Sequence, residues 1–234
     1  IGLSWDANDD VMFYASYTEG FKSGGFFGRQ SDFELDVSYE PEYVETFEAG
    51  MKSTWLDGRM TFNPVIFYSD YKDKQEQYFV PIDLSNVASL VANAAAMDIF
   101  GVEIELEFQI TEAWNVRANY GYLDAEYSGF IADLNGDGIA TDNDGLTPRN
   151  TPENTFGVAT TYNWELGDGK LSANLSYHWR DEVESILAPD PSAPTENDLL
   201  GSQDSLENLS ANLSYAWNDR YRVAVYGRNL TDDR

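Results

Sequence analysis

Apolar and polar residues alternate along much of the chain, most regularly between positions 102 and 110. In that stretch every even residue is apolar and every odd residue is polar. A period of two is typical of a β-strand that has one apolar and one polar face. Similar stretches predict strands at 11–18, 43–56, 59–71, 114–122, 156–166, 170–180, 209–217 and 221–230. With a further strand that ends before Asn8, the chain is predicted to hold about ten strands.

The connections between the predicted strands are alternately short and long. Short turns, most of them rich in Asp, Asn and Gly, lie at 8–9, 57–58, 111–112, 167–169 and 218–219, whereas long loops cover 19–41, 74–94, 128–153 and 181–205. Loops of this length are uncommon in a compact soluble domain. Short periplasmic turns and long extracellular loops are typical of an outer-membrane barrel. The predicted fold class is therefore an all-β, antiparallel transmembrane β-barrel segment.

Tryptophan residues mark the strand ends that carry the short turns. Only Trp179 lies toward a long loop. An indole is favoured at a membrane interface because its ring is apolar and its N–H needs a polar partner. The alternative is a soluble sandwich with core tryptophans near its strand ends, which would need a second sheet to cover the apolar face. The predicted interface residues near short turns are Trp5, Trp55, Trp114, Trp164 and Trp217.

Charge and composition narrow the range of functions. The chain has 14 Lys and Arg against 41 Asp and Glu, a formal charge of -27, which argues against a surface that neutralises nucleic-acid phosphates. We interpret the acidity as a solvated surface, with attraction of cations as the alternative. The sequence has no cysteine, so it can form neither a disulfide nor a thiolate metal site. No apolar run approaches the roughly 20 residues of a membrane-spanning helix, so a membrane crossing must use strands.

Several segments together carry a resemblance to a known family. They are 14–26, 39–42 with 47–52, 67–73 with Gln75, 101–103, 120–127 and 227–232. In their order and spacing they are similar to strand and loop segments of TonB-dependent receptors, the plugged transporters of Gram-negative outer membranes. The resemblance covers nearly the whole chain.

The resemblance implies a function, a location and partners. The function is energy-coupled uptake of a scarce nutrient, such as a metal chelate (siderophore), cobalamin or an oligosaccharide, across the outer membrane. The partners are membrane lipid, the small-molecule ligand, and TonB acting through a plug domain. Because the family's plug and closing strands have no match in the sequence, residues 1–234 are expected to form a partial barrel domain, truncated at both ends. A passive porin-like channel and a surface β-adhesin are the alternatives, and no motif indicates an enzyme.

Candidate ligand contacts follow from location, because the family's contacts come from loops and the adjoining wall. The alternative is that these loop side chains pack on neighbouring loops. The candidates are Phe26, Phe27, Arg29, Gln75, Gln77 and Tyr78. The polar face of the strands is expected to be a hydrated wall that contacts the plug, and His178 a solvated residue on it. The other charged residues of that wall are Glu103, Glu105, Glu107, Arg117 and Arg180.

Residues 133–144 have the spacing of oxygen ligands in a calcium-binding loop, with Gly138 at the position of the sharp turn. The segment is thus a candidate site for a structural Ca²⁺ ion, and a solvated turn rich in Asp and Asn is the alternative. No other cofactor is expected. The predicted ligands are Asp133, Asn135, Asp137, Ile139 through its carbonyl oxygen, and Asp144 at the twelfth position.

Overall fold

A computed structural model describes residues 1–26, 38–83, 86–134, 138–185, 187, 201–218 and 220–232 of the chain. Within these residues ten long strands form one antiparallel sheet, which confirms the all-β prediction. No described segment is a helix long and apolar enough to cross a membrane. In spatial order the strands are β1 (Gly2–Asn8), β2 (Val11–Lys22), β5 (Glu42–Trp55), β6 (Met60–Asp83), β7 (Asn86–Thr111), β8 (Trp114–Tyr127), β11 (Asn154–Leu166), β12 (Gly169–Arg180), β15 (Leu206–Trp217) and β16 (Tyr221–Gly227).

Each strand of the sheet pairs with the next one along the chain, so the connections alternate between the two ends of the sheet. The short turns lie where the sequence predicts them, and Leu56 and Asp57 have positive φ angles of 57° and 56° in the turn between β5 and β6. Three pairs of two-residue strands lie in the long connections. They are β3 (Gly25–Phe26) with β4 (Ser38–Tyr39), β9 (Ile131–Ala132) with β10 (Thr141–Asp142), and β13 (Val183–Glu184) with β14 (Ser202–Gln203).

The hairpin of β6 and β7 is longer than the sequence pattern predicts. Strand pairing continues through most of the segment 74–94, which the pattern assigns to a loop, and the register shifts between Tyr71 and Lys74. Residues 87–96 are small or apolar without alternation. A strand pair that projects beyond the bilayer has no lipid-facing side that would impose a period of two, so the pattern does not reveal it.

Cross-strand register keeps the two faces consistent through the sheet. Ile104 lies opposite Tyr120, whereas Glu105 lies opposite Asn63 and Asn119. We call the face with Ile104 the outer face and the face with Glu105 the inner face. A slip of one residue would exchange them, so the alternating pattern specifies the register. Inside the sheet the backbone polar groups pair with neighbouring strands, which is the condition for crossing a bilayer as strands.

Large apolar side chains remain exposed on the outer face. Phe47, Ile66 and Val225 are 55%, 51% and 73% exposed. No second large sheet among the described residues covers this face. An extended exposed apolar surface marks contact with a membrane or a partner. The uncovered face therefore argues against the two-sheet sandwich.

The five tryptophans near the short turns lie on the outer face. Trp164 and Trp114 flank Tyr162, with ring centroids 4.3 and 6.1 Å from the tyrosine ring. The indole N–H of Trp114 donates a hydrogen bond to Thr160 Oγ1 at 2.8 Å. The rings thus sit at one end of the apolar face, as the sequence predicts, and their contact with the lipid interface stays a prediction.

Two glycines on the inner face make room for aromatic rings of a neighbouring strand. A Cβ atom at Gly50 would collide with the ring of Tyr14, and one at Gly101 would collide with the ring of Phe67. A ring that lies across a glycine covers backbone that would otherwise be exposed and helps to fix the register of the two strands.

Candidate functional site

A small hydrophobic core lies at the long-loop end of the sheet, on the inner face of β7 and β8. Phe130 is fully buried, and its ring centroid lies 4.8 Å from that of Tyr127. Phe130 and Leu146 belong to the connection between β8 and β11, which folds back onto Met97 of the wall. The backbone N–H of Asn143 donates to the carbonyl of Phe130 at 2.8 Å. The other buried members are Ala95, Ala132 and Leu134.

A buried carboxylate, Glu76, joins this connection to the hairpin of β6 and β7. Glu76 is only 1% exposed. Lys74 Nζ contacts Glu76 Oε1, and Arg149 Nη2 lies 2.8 Å from Glu76 Oε2. The hydroxyl of Tyr127 donates to Glu76 Oε1 at 2.9 Å. A buried charge is tolerated only when it is paired and hydrogen-bonded, and Glu76 meets that condition with partners from three segments.

The partners of Glu76 also determine its protonation. Burial by itself would raise the pKa of Glu76, but the charge and hydrogen bond of Lys74, with hydrogen bonds from Tyr127 and Arg149, outweigh burial and lower the pKa below the ordinary 4.5. Burial and the negative charge of Glu76 raise the pKa of Tyr127. Near neutral pH the cluster therefore holds an ionised carboxylate and a neutral phenol, the states that its hydrogen bonds require.

A second network fixes the connection between β2 and β5. The side-chain amide of Gln75 donates to the carbonyls of Ser23 at 3.1 Å and Glu40 at 3.0 Å, and its backbone N–H donates to Glu42 Oε2 at 2.8 Å. The amide of Asn93 also donates to the Glu40 carbonyl, at 2.8 Å. These bonds hold residues 23 and 40–42 against the projecting hairpin.

The predicted ligand contacts lie in different environments. Phe26 in β3 is 79% exposed, and Gln77 is exposed on β6. Gln75 is buried, with its amide occupied by the two carbonyls. Phe27 and Arg29 lie outside the described residues, as does the side chain of Tyr78. The structure thus brings Gln75 together with the first long connection, and a ligand role for the six residues stays a prediction.

Sequence reasoning missed the cluster of Glu76, Tyr127, Phe130 and Arg149. One carboxylate among 41 acidic residues gives no signal of burial. A usable signal was Arg149, which is the only basic residue between positions 128 and 153. A single cation in an acidic loop points to a specific carboxylate partner, although the sequence does not say which one.

The candidate calcium loop is described only in part, because Asn135 and Asp137 lie outside the described residues. Asp133 Oδ2 accepts the backbone N–H of Gly138 at 2.8 Å, and Asp144 Oδ1 accepts that of Phe130 at 2.5 Å. Gly138 has a φ of 84°, as the predicted sharp turn requires. The described residues contain no group of three His, Cys, Asp or Glu that could hold a metal. Binding of Ca²⁺ here, which would also involve the exposed Ile139, stays a prediction.

The inner face carries the charged residues that the sequence assigns to the wall. Glu103, Glu105 and Glu107 occupy alternate positions along β7. Arg117 Nη2 on β8 lies 2.9 Å from Glu107 Oε1. His178 and Arg180 lie on the same face of β12, which is three strands away from β7 in the sheet. The inner face is therefore polar and charged, whereas the outer face is apolar.

Comparisons with known proteins identify what the chain is similar to. A family model described as "TonB dependent receptor-like, beta-barrel" matches residues 1–230. The ferric-pyoverdine 358 receptor of Pseudomonas putida is 26% identical over 206 residues, which cover 84% of this chain and 22% of that protein. The chain thus spans about a fifth of the length of this relative.

Solved structures show the same fold. The ferric yersiniabactin uptake receptor FyuA from Yersinia pestis superposes with a TM-score of 0.72 at 18% identity, covering 99% of this chain and 31% of that one. The siderophore receptor PiuA from Acinetobacter baumannii gives a TM-score of 0.70 at 22% identity, with coverages of 99% and 31%. The ten-stranded sheet thus corresponds to about a third of such a receptor chain.

Proposed function

The chain belongs to the TonB-dependent receptor β-barrel family, and on this premise we propose that it forms barrel wall and extracellular loops of a receptor that takes up a metal chelate. The observation that carries the proposal is the family match over residues 1–230. Relatives support the ligand class, because their names describe receptors for ferric pyoverdines and a siderophore receptor. Cobalamin and oligosaccharides, which the sequence alone leaves open, have no such support.

The two faces of the sheet suit a wall in the outer membrane, where this family resides. The outer face presents apolar side chains such as Ile66 and Phe47 to lipid, and the inner face presents Glu103 and Glu105 to an aqueous interior. Transport would further need a plug domain that TonB pulls on, and we propose both as partners of the intact receptor. The family is one of transport receptors, and we propose no enzymatic activity.

The long-loop end of the sheet supports a role in ligand capture. Glu76 and Gln75 fix two connections against the projecting hairpin of β6 and β7, so that Phe26 and Gln77 are presented from a fixed platform. A site whose supporting groups are held rigidly loses less conformational entropy when a ligand binds. We propose that the ligand is first bound on this platform.

Uptake measurements test the function directly. Cells that carry the gene should import iron from one member of a panel of ⁵⁵Fe-labelled chelates, and deletion of the gene should abolish that import. Deletion of TonB should have the same effect, because the receptor depends on its energy. Import that persists without TonB, or an open-channel conductance of the purified receptor in planar bilayers, would support the porin-like alternative instead.

A further inference from the structure

Charges on the inner face are segregated into two sectors. We call the inner face of β5, β6, β7 and β8 below the projecting hairpin the acidic sector, because it carries five carboxylates against two cations. Cross-strand register places these residues on one face. The carboxylates are Glu42, Glu48, Glu103, Glu105 and Glu107, and the cations are Lys52 and Arg117.

The last four strands of the sheet carry a net positive charge on their inner face. We call the inner face of β11, β12, β15 and β16 the cationic sector. Its single carboxylate, Glu165, lies opposite Lys170 at the short-turn end of β11 and β12. The other basic residues of the sector are His178, Arg180 and Arg222.

Lys170, Arg180 and Arg222 form no ion pair within 4.0 Å among the described residues. Every such ion pair in the described part of the chain lies between residues 22 and 149. Arg180 instead donates to the carbonyl of Asp181 and to Gln203 Oε1, both at 3.0 Å. Arg222 lies 3.4 Å from Ser214 Oγ. Arg180 and Arg222 therefore carry positive charge without a paired carboxylate, whereas Lys170 has Glu165 opposite it.

Between the cations lies a ladder of small polar side chains. His178 and Arg180 are at the long-loop end of the cationic sector, and Lys170 and Arg222 are at the short-turn end. A groove of about 400 Å³ crosses the four strands at the level of Thr161, Asn174 and Asn212, and its lining includes several ladder residues. The ladder consists of Thr161, Asn163, Ser172, Asn174, Ser176, Asn208, Ser210, Asn212 and Ser214.

Hydrogen bonds inside the ladder leave amide donors for a ligand. Asn174 Oδ1 accepts the hydroxyl of Thr161 at 2.8 Å, and Asn163 Oδ1 accepts that of Ser172 at 2.6 Å. Each of these two amide oxygens already accepts one hydrogen bond, and the NH₂ groups of the same amides can donate to other partners. Donors between two cationic ends favour a ligand that is rich in acceptor oxygens and negatively charged.

We propose that the cationic sector lines the route by which an anionic, oxygen-rich small ligand passes through the barrel. The inference rests on the proposed uptake function and adds which part of the wall the ligand follows. The acidic sector would repel such a ligand. Arg180 would attract it at the long-loop end of the cationic sector, and Lys170 and Arg222 would attract it at the short-turn end. The ladder between them offers exchangeable hydrogen bonds without a charge that would trap the ligand.

Cysteine modification in the intact receptor measures the charge of the two sectors, since this chain has no cysteine of its own. Ser176→Cys probes the cationic sector, and Asn119→Cys is the matched probe in the acidic half, opposite Glu105. Cells that carry each variant are treated with an anionic sulfonate or a cationic trimethylammonium methanethiosulfonate. We expect the ratio of anionic to cationic rates to be roughly tenfold higher at 176 than at 119. Equal ratios, or no reaction at 176, would overturn the proposal.

A transport measurement then tests the route itself. Asn174→Asp with Asn212→Asp places two carboxylates in the ladder at constant shape, and Asn115→Asp with Asn119→Asp makes the same change on β8. With an anionic ferric chelate as the probe, we expect the first pair to slow uptake roughly tenfold while binding to cells stays within about twofold. The second pair should keep uptake within about twofold.

The outcomes separate this inference from the proposed function. Equal loss of uptake in both double variants, or normal uptake with Asn174→Asp and Asn212→Asp, would overturn the route. Absence of chelate uptake in cells with the unmodified receptor would contradict the proposed function, and the reagent preference at position 176 would then decide alone whether the sector favours anions.

Discussion

Glu76 shows how one side chain can organise a loop. It is almost completely buried, and it holds Arg149 from a connection more than 70 residues away in sequence. Glu76→Gln would keep the shape but leave Lys74 and Arg149 without their counter-charge. We expect the connection 128–153 to be destabilised by about 2 kcal/mol, below the roughly 3–5 kcal/mol of a fully buried pair, because both cations keep part of their surface in water.

Limited proteolysis of the folded receptor measures this effect. Cleavage within 128–153 should become about 30-fold faster, because cleavage follows the population of the open form. Glu126→Gln is the matched control, since Glu126 is exposed on the neighbouring β8 and makes no ion pair among the described residues. Equal cleavage of the Glu76→Gln variant and the unmodified receptor would show that the cluster does not fix the loop.

The pH dependence of the same loop follows from the lowered pKa of Glu76. Because the folded-state pKa lies below the ordinary 4.5, the stabilisation is complete above pH 4.5 and is lost as the pH falls below that value through the folded pKa. Hydrogen exchange of 128–153 should therefore be constant down to about pH 5 and rise in stronger acid. Glu76→Gln should remove this acid transition. A transition near pH 6 would point to a different group.

At the scale of elements, the alternation along β7 predicts that the outer face contacts lipid. Ile104 lies near the middle of the alternating stretch 102–110, opposite Tyr120 of β8. Asn119, the residue before Tyr120, lies on the inner face of β8. Ile104→Arg should cost about 2–4 kcal/mol of folding free energy in a lipid bilayer, because the charge would lie near the bilayer midplane. Asn119→Arg should have a much smaller effect, since it faces the interior.

Urea unfolding in lipid vesicles, followed by tryptophan fluorescence, compares the two variants. The comparison is matched, because the same residue is introduced at the same depth on opposite faces. A larger loss of stability with Asn119→Arg than with Ile104→Arg would reverse the assignment of outer and inner faces.

The connection between β8 and β11 carries the remaining metal prediction. Calorimetric titration of the intact receptor should show one Ca²⁺ ion bound at 133–144, and Asp133→Asn should weaken binding about tenfold by removing a ligand charge. Asp168→Asn, in the short turn at the opposite end of the sheet, should leave binding unchanged. If the unmodified receptor gave no heat signal with calcium, the alternative interpretation of 133–144 as a solvated turn rich in Asp and Asn would be supported.

The sequence predicts those elements whose two faces meet different solvents. Strands such as 114–122 and 170–180 alternate because one of their faces is apolar and the other is polar, so their number and their two faces could be predicted directly. The projecting parts of β6 and β7 could not be predicted, since both of their faces meet water or loops. The same reason hides Glu76 and Phe130, whose burial depends on a distant connection that folds back rather than on local pattern.

At the scale of the whole molecule, the ten strands form a wall with three distinct surfaces. The outer face is apolar, the inner face is divided into an acidic and a cationic sector, and a fixed layer of connections lies at one end. The net charge of -27 is therefore not spread evenly. On the outer face, carboxylates such as Glu45, Asp70 and Asp98 lie toward the long-loop end, and the ladder of the cationic sector carries none.

The central claim is that one face of this sheet contacts lipid and the other faces an aqueous interior. The chain has no cysteine, so single cysteines at each position from 102 to 109 of β7 can be spin-labelled in the intact receptor in a bilayer, once any cysteine elsewhere in the receptor has been replaced. Accessibility to oxygen, which concentrates in lipid, should peak at even positions such as Ile104, and accessibility to a water-soluble nickel complex should peak at odd positions such as Glu105. Accessibility without a period of two, or with the two reagents exchanged, would contradict the account.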